Sequence, residues 1–225
     1  YDYYSAGGKM GARPDRATIV YSNRIREAYG DIPIILGGLE ASLRRFAHYD
    51  YWEDRVRRSL LIDSRADILT YGMGEKILVR LAQLLDKGVP IKKIRDVRGT
   101  VWVGKPEDTV HFPIAATFDY NELKTDKAAY ARAFGVQYKN QDSITGKAIC
   151  ELYDGKMLVQ NPPMAPLERE ELDHVYALPY TRTYHPSYQK DGGVPGIEEV
   201  RFSITHNRGC FGSCNFCALA FHQGR

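Results

Sequence analysis

Apolar and polar positions along this chain follow two rhythms, one helical and one extended. Ala17, Val20, Tyr21, Ile25 and Ala28 recur at helical spacing to about Tyr29, with Pro14 suited to a first helical turn. Gly30-Asp31 breaks that pattern, and Pro33 to Leu36 is a short apolar run ending in Gly37-Gly38. Such a run predicts a buried parallel strand emptying into a tight turn. A helical stretch is expected from about Glu40 to His48. Ala66 to Tyr71 reads as a second strand, closed by Gly72-Met73-Gly74. From Glu75 to Leu85, residues Ile77, Leu78, Leu81, Leu84 and Leu85 share one helical face, and Gly88 stops it. Strand, helix, strand, helix at this spacing predicts a βαβα unit with a parallel sheet.

The middle of the chain changes character. Thr100 to Val103 and Thr109 to Phe112 read as short strands, and Asp126 to Phe134 as a helix. Ile149 to Tyr153 and Lys156 to Gln160 flank Asp154-Gly155, the best hairpin signal present. Asn161-Pro162-Pro163 ends that hairpin, and a short helix is expected over Leu167 to Val175. Residues 177–197, rich in proline, glycine and polar side chains, read as a linker or a covering loop. Glu199 to Thr205 returns as a strand, because Val200, Phe202 and Ile204 alternate against polar neighbours. There is no internal repeat and no low-complexity tract.

Composition narrows the class. A chain of 225 residues with 44% hydrophobic and 26% charged residues is an ordinary globular composition. It excludes a disordered tail, a collagen-like rod and a disulfide mini-scaffold. No apolar run of about 18 residues is present, so no transmembrane helix is expected. The net charge of +3 points to no polyanionic partner, which speaks against nucleic acid. Three of the four cysteines fall between Cys210 and Cys217. Clustered cysteines without a signal peptide predict metal chemistry in a reducing, cytoplasmic compartment. Tyr1 stands first and Arg225 follows closely on the cysteines, so the sequence is read as a piece of a longer protein.

Cys210, Cys214 and Cys217 have the spacing C-x3-C-x2-C. Three thiolates so close can wrap one metal centre, and thiolates are the usual ligands of iron–sulfur clusters. Gly209 and Gly212 allow the loop to curl tightly. Two alternatives stay open: three buried inert thiols, or a Cys3His zinc module with His206 or His222 as fourth ligand. Cys150, far off in a predicted strand, reads as a small buried apolar residue. The glycine turns at 37–38 and 72–74 could meet a phosphate, but neither fits G-x-G-x-x-G, and packing turns are the expectation. Glu75 opens a helix, where a carboxylate complements the dipole. Arg44-Arg45 and Arg55-Arg57-Arg58 could hold a phosphate or an RNA backbone. With Asp50, Glu53 and Asp54 interspersed, a solvated helix face is expected instead. Tyr1, Tyr3, Tyr4, Tyr49, Tyr51, Tyr180, Tyr184 and Tyr188 are expected in ordinary half-buried packing.

C-x3-C-x-aromatic-C, with Phe216 as the aromatic, follows Thr205-His206-Asn207-Arg208-Gly209 and resembles the cluster loop of radical S-adenosylmethionine (radical SAM) enzymes. The resemblance implies that residues 199–205 form the first strand of a partial (β/α) barrel. It implies that Cys210, Cys214 and Cys217 hold a [4Fe-4S] cluster whose open iron chelates S-adenosylmethionine, with Phe216 near the adenine. The implied chemistry is reductive cleavage to a 5′-deoxyadenosyl radical, then hydrogen-atom abstraction, with an electron donor such as flavodoxin or ferredoxin. Residues 33–42 and 66–75 are similar to two turns of the cobalamin-binding-like domain that precedes many such barrels. Together with Ala41 to Arg45 and His48 to Trp52, they resemble the YgiQ type, the UPF0313 group, of radical SAM proteins. That implies an iron–sulfur oxidoreductase without naming its substrate or any catalytic side chain. The aspartate-x-histidine-x-x-glycine signature is absent, so cobalamin is not expected.

The fold expectation is therefore α/β. A Rossmann-like, cobalamin-binding-like part over residues 1–92 and an irregular α+β extension and linker over 93–197 form one N-terminal domain. Residues 198–225 open a truncated radical SAM core. Such a piece is expected to turn over poorly or not at all by itself. A radical SAM tRNA-modifying enzyme is the remaining alternative, since tRNA methylthiotransferases also place an α/β domain before the cluster loop. The modest charge and the lack of a second cysteine trio speak against it.

Overall fold

The computed structural model describes residues 1–205, 207–210, 212, 214 and 216–223. In chain order its elements are α1 (Ala17–Tyr29), β1 (Ile35–Leu36), α2 (Gly38–Leu43), β2 (His48–Asp50), β3 (Arg55–Arg57), α3 (Leu60–Ser64) and β4 (Ile68–Thr70). Then come α4 (Glu75–Asp86), β5 (Thr100–Gly104), β6 (Ile114–Asp119), α5 (Tyr120–Leu123), α6 (Lys127–Lys139), β7 (Ala148–Tyr153) and β8 (Lys156–Gln160). The last three are α7 (Arg169–Ala177), α8 (Ile197–Val200) and α9 (Leu219–Gln223). The chain forms two compact units, Tyr1–Tyr21 with Leu167–Arg208, and Ser22–Pro166 with Gly209–Arg225. The boundary expected at 92/93 therefore falls inside one unit, between strands of one sheet.

That second unit is a mixed α/β layer built on a six-stranded sheet, order β1-β4-β5-β8-β7-β6. β1 pairs with β4 in parallel, Ile35 opposite Ile68, as the two apolar runs predict. Asp67 fixes where they begin: one carboxylate oxygen accepts from the Ile34 amide and from Arg26 of α1, both at 2.9 Å. Gly37 is required because a Cβ there would stand 2.9 Å from Thr70 Oγ1, which donates to the Leu36 carbonyl. α4 then lays Ile77 and Leu81 onto Ile68, Ile94 and Val97. β5 returns antiparallel to β4, so the parallel run is two strands long at this edge. β5, β8 and β7 continue antiparallel, and β6 joins β7 in parallel at the far edge. The hairpin β7–β8 turns at Asp154-Gly155, where Gly155 takes φ +72°.

Several expectations change. The helix expected over 40–48 stops at Leu43, and the connection from β1 to β4 also holds the β2–β3 hairpin and α3. Asp50 Oδ1 accepts from the Trp52 amide at 3.0 Å, a side-chain turn that competes with helix. Arg55 and Arg57 thus sit on a strand, with Arg57 paired to Glu53 and Asp63 and Arg58 to Asp63. The strand expected at 109–112 lies instead at Ile114–Asp119. Pro113 has no N–H to give a ladder; its carbonyl accepts from Ala148, and pairing begins after it. Residues 199–205 are not a strand. Val200 ends α8 and a turn follows, with Phe202 88% and Ile204 87% exposed. A strand's amides and carbonyls need a neighbouring ladder, and none pairs with this stretch among the described residues.

In the other unit, residues 177–197 are a covering loop rather than a linker. A 3₁₀ turn at Pro186–Asp191 precedes two backbone bonds to the N-terminal residues, Gly7 N to Gly193 O and Gly196 N to Tyr3 O, each 2.7 Å. Tyr1, Tyr3, Tyr4, Tyr49, Tyr51, Tyr180 and Tyr188 are exposed, not half-buried.

Candidate functional site

The cysteine loop leaves Gly209, whose φ of +78° turns the chain and whose amide donates to Gln223 Oε1 at 3.0 Å. Cys210, Cys214 and Cys217 are all exposed, free thiols. The Gly212 amide donates to Cys210 Sγ at 3.3 Å. A Cβ on Gly212 would lie 3.3 Å from Cys210 Sγ and 3.8 Å from Cys214 Sγ, so glycine leaves open the space between two thiols. Free thiols are soft donors, the ligand type of iron–sulfur centres and not of hard cations. Among the described residues no three His, Cys, Asp or Glu side chains are gathered closely enough to hold a metal ion. The inert reading of the thiols required burial and is set aside. Of the two histidines that could complete a zinc site, His222 lies on α9. His206 lies outside the described residues, as do Phe211, Ser213 and Asn215. Cys150 is buried on β7 as expected, and burial pushes its thiol up to about 11.

A cavity of about 500 Å³ opens beside the loop. Phe46, Tyr49, Tyr130, Phe134, Tyr138 and Phe221 supply its aromatic walls, and Cys214, Phe216 and Cys217 face it from the loop. α6 carries three of these rings, with Ala129 and Ala133 buried behind it against Ala47 and Leu123. His48 stands in the wall with Nδ1 3.1 Å from the Phe46 carbonyl, so Nδ1 is assigned the proton. Burial, with Arg44 and Arg57 nearby, lowers its pKa and favours the neutral ring. A smaller cavity of about 350 Å³, lined by Tyr71, Gly72, Met73, Asp142 and His222, lies at the end of β4.

α9 is held in place by a residue whose role the charge pattern conceals. Arg45 was expected on a solvated face; it is fully buried. Its Nε donates to Gln160 Oε1 at 2.6 Å, Nη1 to the Ser42 carbonyl, and Nη2 to the Phe221 carbonyl at 3.4 Å. The guanidinium lies 3.9 Å from the Phe221 ring centre and 4.6 Å from that of Tyr71. Burial lowers its pKa to about 10, and rings and carbonyls replace the usual carboxylate partner. One sequence cue existed: Arg45 stands four residues after Ala41, the buried face of α2.

Glu151 is the second hidden group. It is fully buried on β7, and Oε2 accepts from the Ala47 amide at 2.9 Å and from Tyr153 Oη at 2.6 Å. Burial raises its pKa to about 7. It thereby fixes the segment that leads into His48 and Tyr49.

A family model described as Radical SAM N-terminal matches residues 1–203. A match over that much of the chain defines its class: the chain belongs to the Radical SAM N-terminal family. It is similar to a UPF0313 protein of Clostridium botulinum (strain Okra / Type B1), 56% identical over 228 residues that cover all of this chain and 35% of the relative. It is similar also to UPF0313 protein CPE1196 of Clostridium perfringens (strain 13 / Type A), 53% identical over 224 residues, all of this chain and 34% of the relative. The chain thus spans about a third of the length of the curated relatives it matches. No solved structure matches it. Among the described residues no helix is long and apolar enough to cross a membrane.

Proposed function

We propose that this chain is the N-terminal part of a radical SAM enzyme and carries its cluster ligands, Cys210, Cys214 and Cys217. The single observation that supports this most is the loop itself: three free thiols at C-x3-C-x2-C spacing, two of them flanking the space left by Gly212. When bound, a [4Fe-4S] cluster at these residues supplies the electron that cleaves S-adenosylmethionine and starts hydrogen-atom abstraction. The protein's share is to hold and shield that site. Arg45 anchors the carbonyl and ring of Phe221, four residues past the last thiol, to the sheet at Gln160. Phe216 would lie near the adenine, and an electron donor such as flavodoxin or ferredoxin would complete the system. The Rossmann-like reading rests on β1, β4 and α4, and no cobalamin is assigned to it.

The test is the iron and acid-labile sulfide content of protein prepared without oxygen, beside a variant with Cys210, Cys214 and Cys217 all changed to Ala. Iron and sulfide near four each per chain, lost in the variant, are expected. Zinc near one per chain without sulfide would overturn the reading in favour of a structural zinc module.

A further inference from the structure

The β2–β3 hairpin turns through residues 51–54, and this tip carries two large rings into solvent. Tyr51 is 70% exposed and Trp52 76%, whereas Trp102, the other tryptophan of the chain, is buried. The two exposed rings lie against each other, with centres 4.9 Å apart and planes tilted by 30°. Single exposed apolar residues are ordinary, but a contacting tyrosine–tryptophan pair concentrates apolar surface at one spot.

The backbone beneath those rings is fixed. Asp50 is itself buried, and its Oδ1 accepts from the Trp52 amide at 3.0 Å and the Glu53 amide at 3.4 Å. Tyr49 Oη donates to Asp54 Oδ1 at 2.7 Å, and Asp54 takes a left-handed φ of +49°. At the base, the Tyr49 amide donates to Tyr130 Oη at 3.0 Å, and Tyr120 Oη donates to the Val56 carbonyl at 3.2 Å. Val56 packs on Ala47, Leu123, Ala129 and Ala133. Rings on such a support lose little freedom when a partner covers them, which is the property of an interface anchor.

Tyr49, at the base of the hairpin, shares a cavity wall with Cys214, Cys217 and Ala218, so the hairpin stands beside the segment that leads into α9. The relatives are about three times as long as this chain, which covers 35% and 34% of them. A covered tyrosine and tryptophan bury about 150–250 Å² each, together about half of one partner's share of a standard interface, roughly 800 Å². We propose that the Tyr51–Trp52 tip docks into an apolar pocket on the part of the full-length protein that follows residue 225, and anchors the two parts to each other. That the remainder follows this chain rests on the function proposed above; the tip and its support do not.

The experiment uses the full-length protein with p-benzoylphenylalanine in place of Trp52 or, separately, of Tyr51, irradiated, digested and read by mass spectrometry. Both side chains are exposed here, so the replacements should fold like the parent. The expected product is an adduct within one chain, joining the tip to a residue beyond 225. Trp52→Ala is expected to speed tryptic cleavage after Arg55, beside the tip, by about tenfold or more. An adduct between two copies, to another macromolecule, or only to residues of this chain overturns the proposal. So does the absence of an adduct from both positions, or an unchanged cleavage rate at Arg55. Iron and sulfide are measured on the same preparations. A protein that holds the cluster but gives no such adduct sinks this proposal alone. The adduct in a protein that takes up zinc without sulfide sinks the enzymatic reading and leaves the docking in place.

Discussion

Two stretches of this chain are rich in apolar side chains and meet different fates. Residues 148–153 run apolar except for Glu151, whereas residues 199–205 set Val200, Phe202 and Ile204 at every second position. The first is β7, enclosed between β6 and β8, with Ile149 and Cys150 wholly buried. The second is the end of α8, a turn and an unpaired segment. Alternation specifies which side chains share a face; it does not supply the ladder that makes a strand. The hairpin sequence carries its own partner just across the two-residue turn Asp154-Gly155. The 199–205 stretch has none among the described residues, and Phe202 and Ile204 are exposed.

The largest expected break in that comparison is Leu158→Ala. Leu158 is fully buried on β8, opposite Val103 of β5 and Glu151 of β7. Deleting a buried leucine side chain in a sheet held from both sides costs about 3 kcal/mol or more. A loss of less than about 1 kcal/mol by urea unfolding would mean that β8 is not a core strand.

A second break uses pH. Glu151 interrupts the apolar run of β7 with a carboxyl that burial holds at about 7 instead of its ordinary 4.5. The folded state therefore binds this proton more tightly than the unfolded chain does. The stabilisation is complete below about pH 4.5 and is lost as pH rises to about 7, amounting to about 3 kcal/mol for this group. Glu151→Gln removes that dependence. The variant's stability relative to the parent should rise between pH 5 and pH 8, as read by urea unfolding at both values. An unchanged difference at the two values would show that Glu151 is ionised in the fold.

The same contrast explains what was legible in the residues themselves. The hairpin, β4, α4 and α6 were readable because local pattern and turn chemistry agree with the tertiary outcome. Pro113 was a readable stop that displaced the neighbouring strand by a few positions, and Asp50 a readable turn residue inside an expected helix. Arg45 and Glu151 were not readable. Charge is a cue for the surface, and only three-dimensional packing places a guanidinium under Phe221 or a carboxyl against the Ala47 amide. The three cysteines were legible as chemistry through their spacing, while the cavity beside them was not. Phe46 with Tyr49, Tyr130, and Phe221 come from three distant parts of the chain.

The smallest expected effect sharpens the comparison from the other side. Ile204→Ala removes as much apolar side chain as Leu158→Ala nearly does, yet from a position 87% exposed and outside any ladder. Transfer from water contributes little where the side chain never leaves water, so the change should stay within about 0.5 kcal/mol. Amide exchange should agree, with Ile204 and Thr205 exchanging at once and the amides of Cys150 and Leu158 protected. A cost above about 2 kcal/mol for Ile204→Ala would mean that the stretch buries its apolar face after all. Pattern would then have been enough to make a strand.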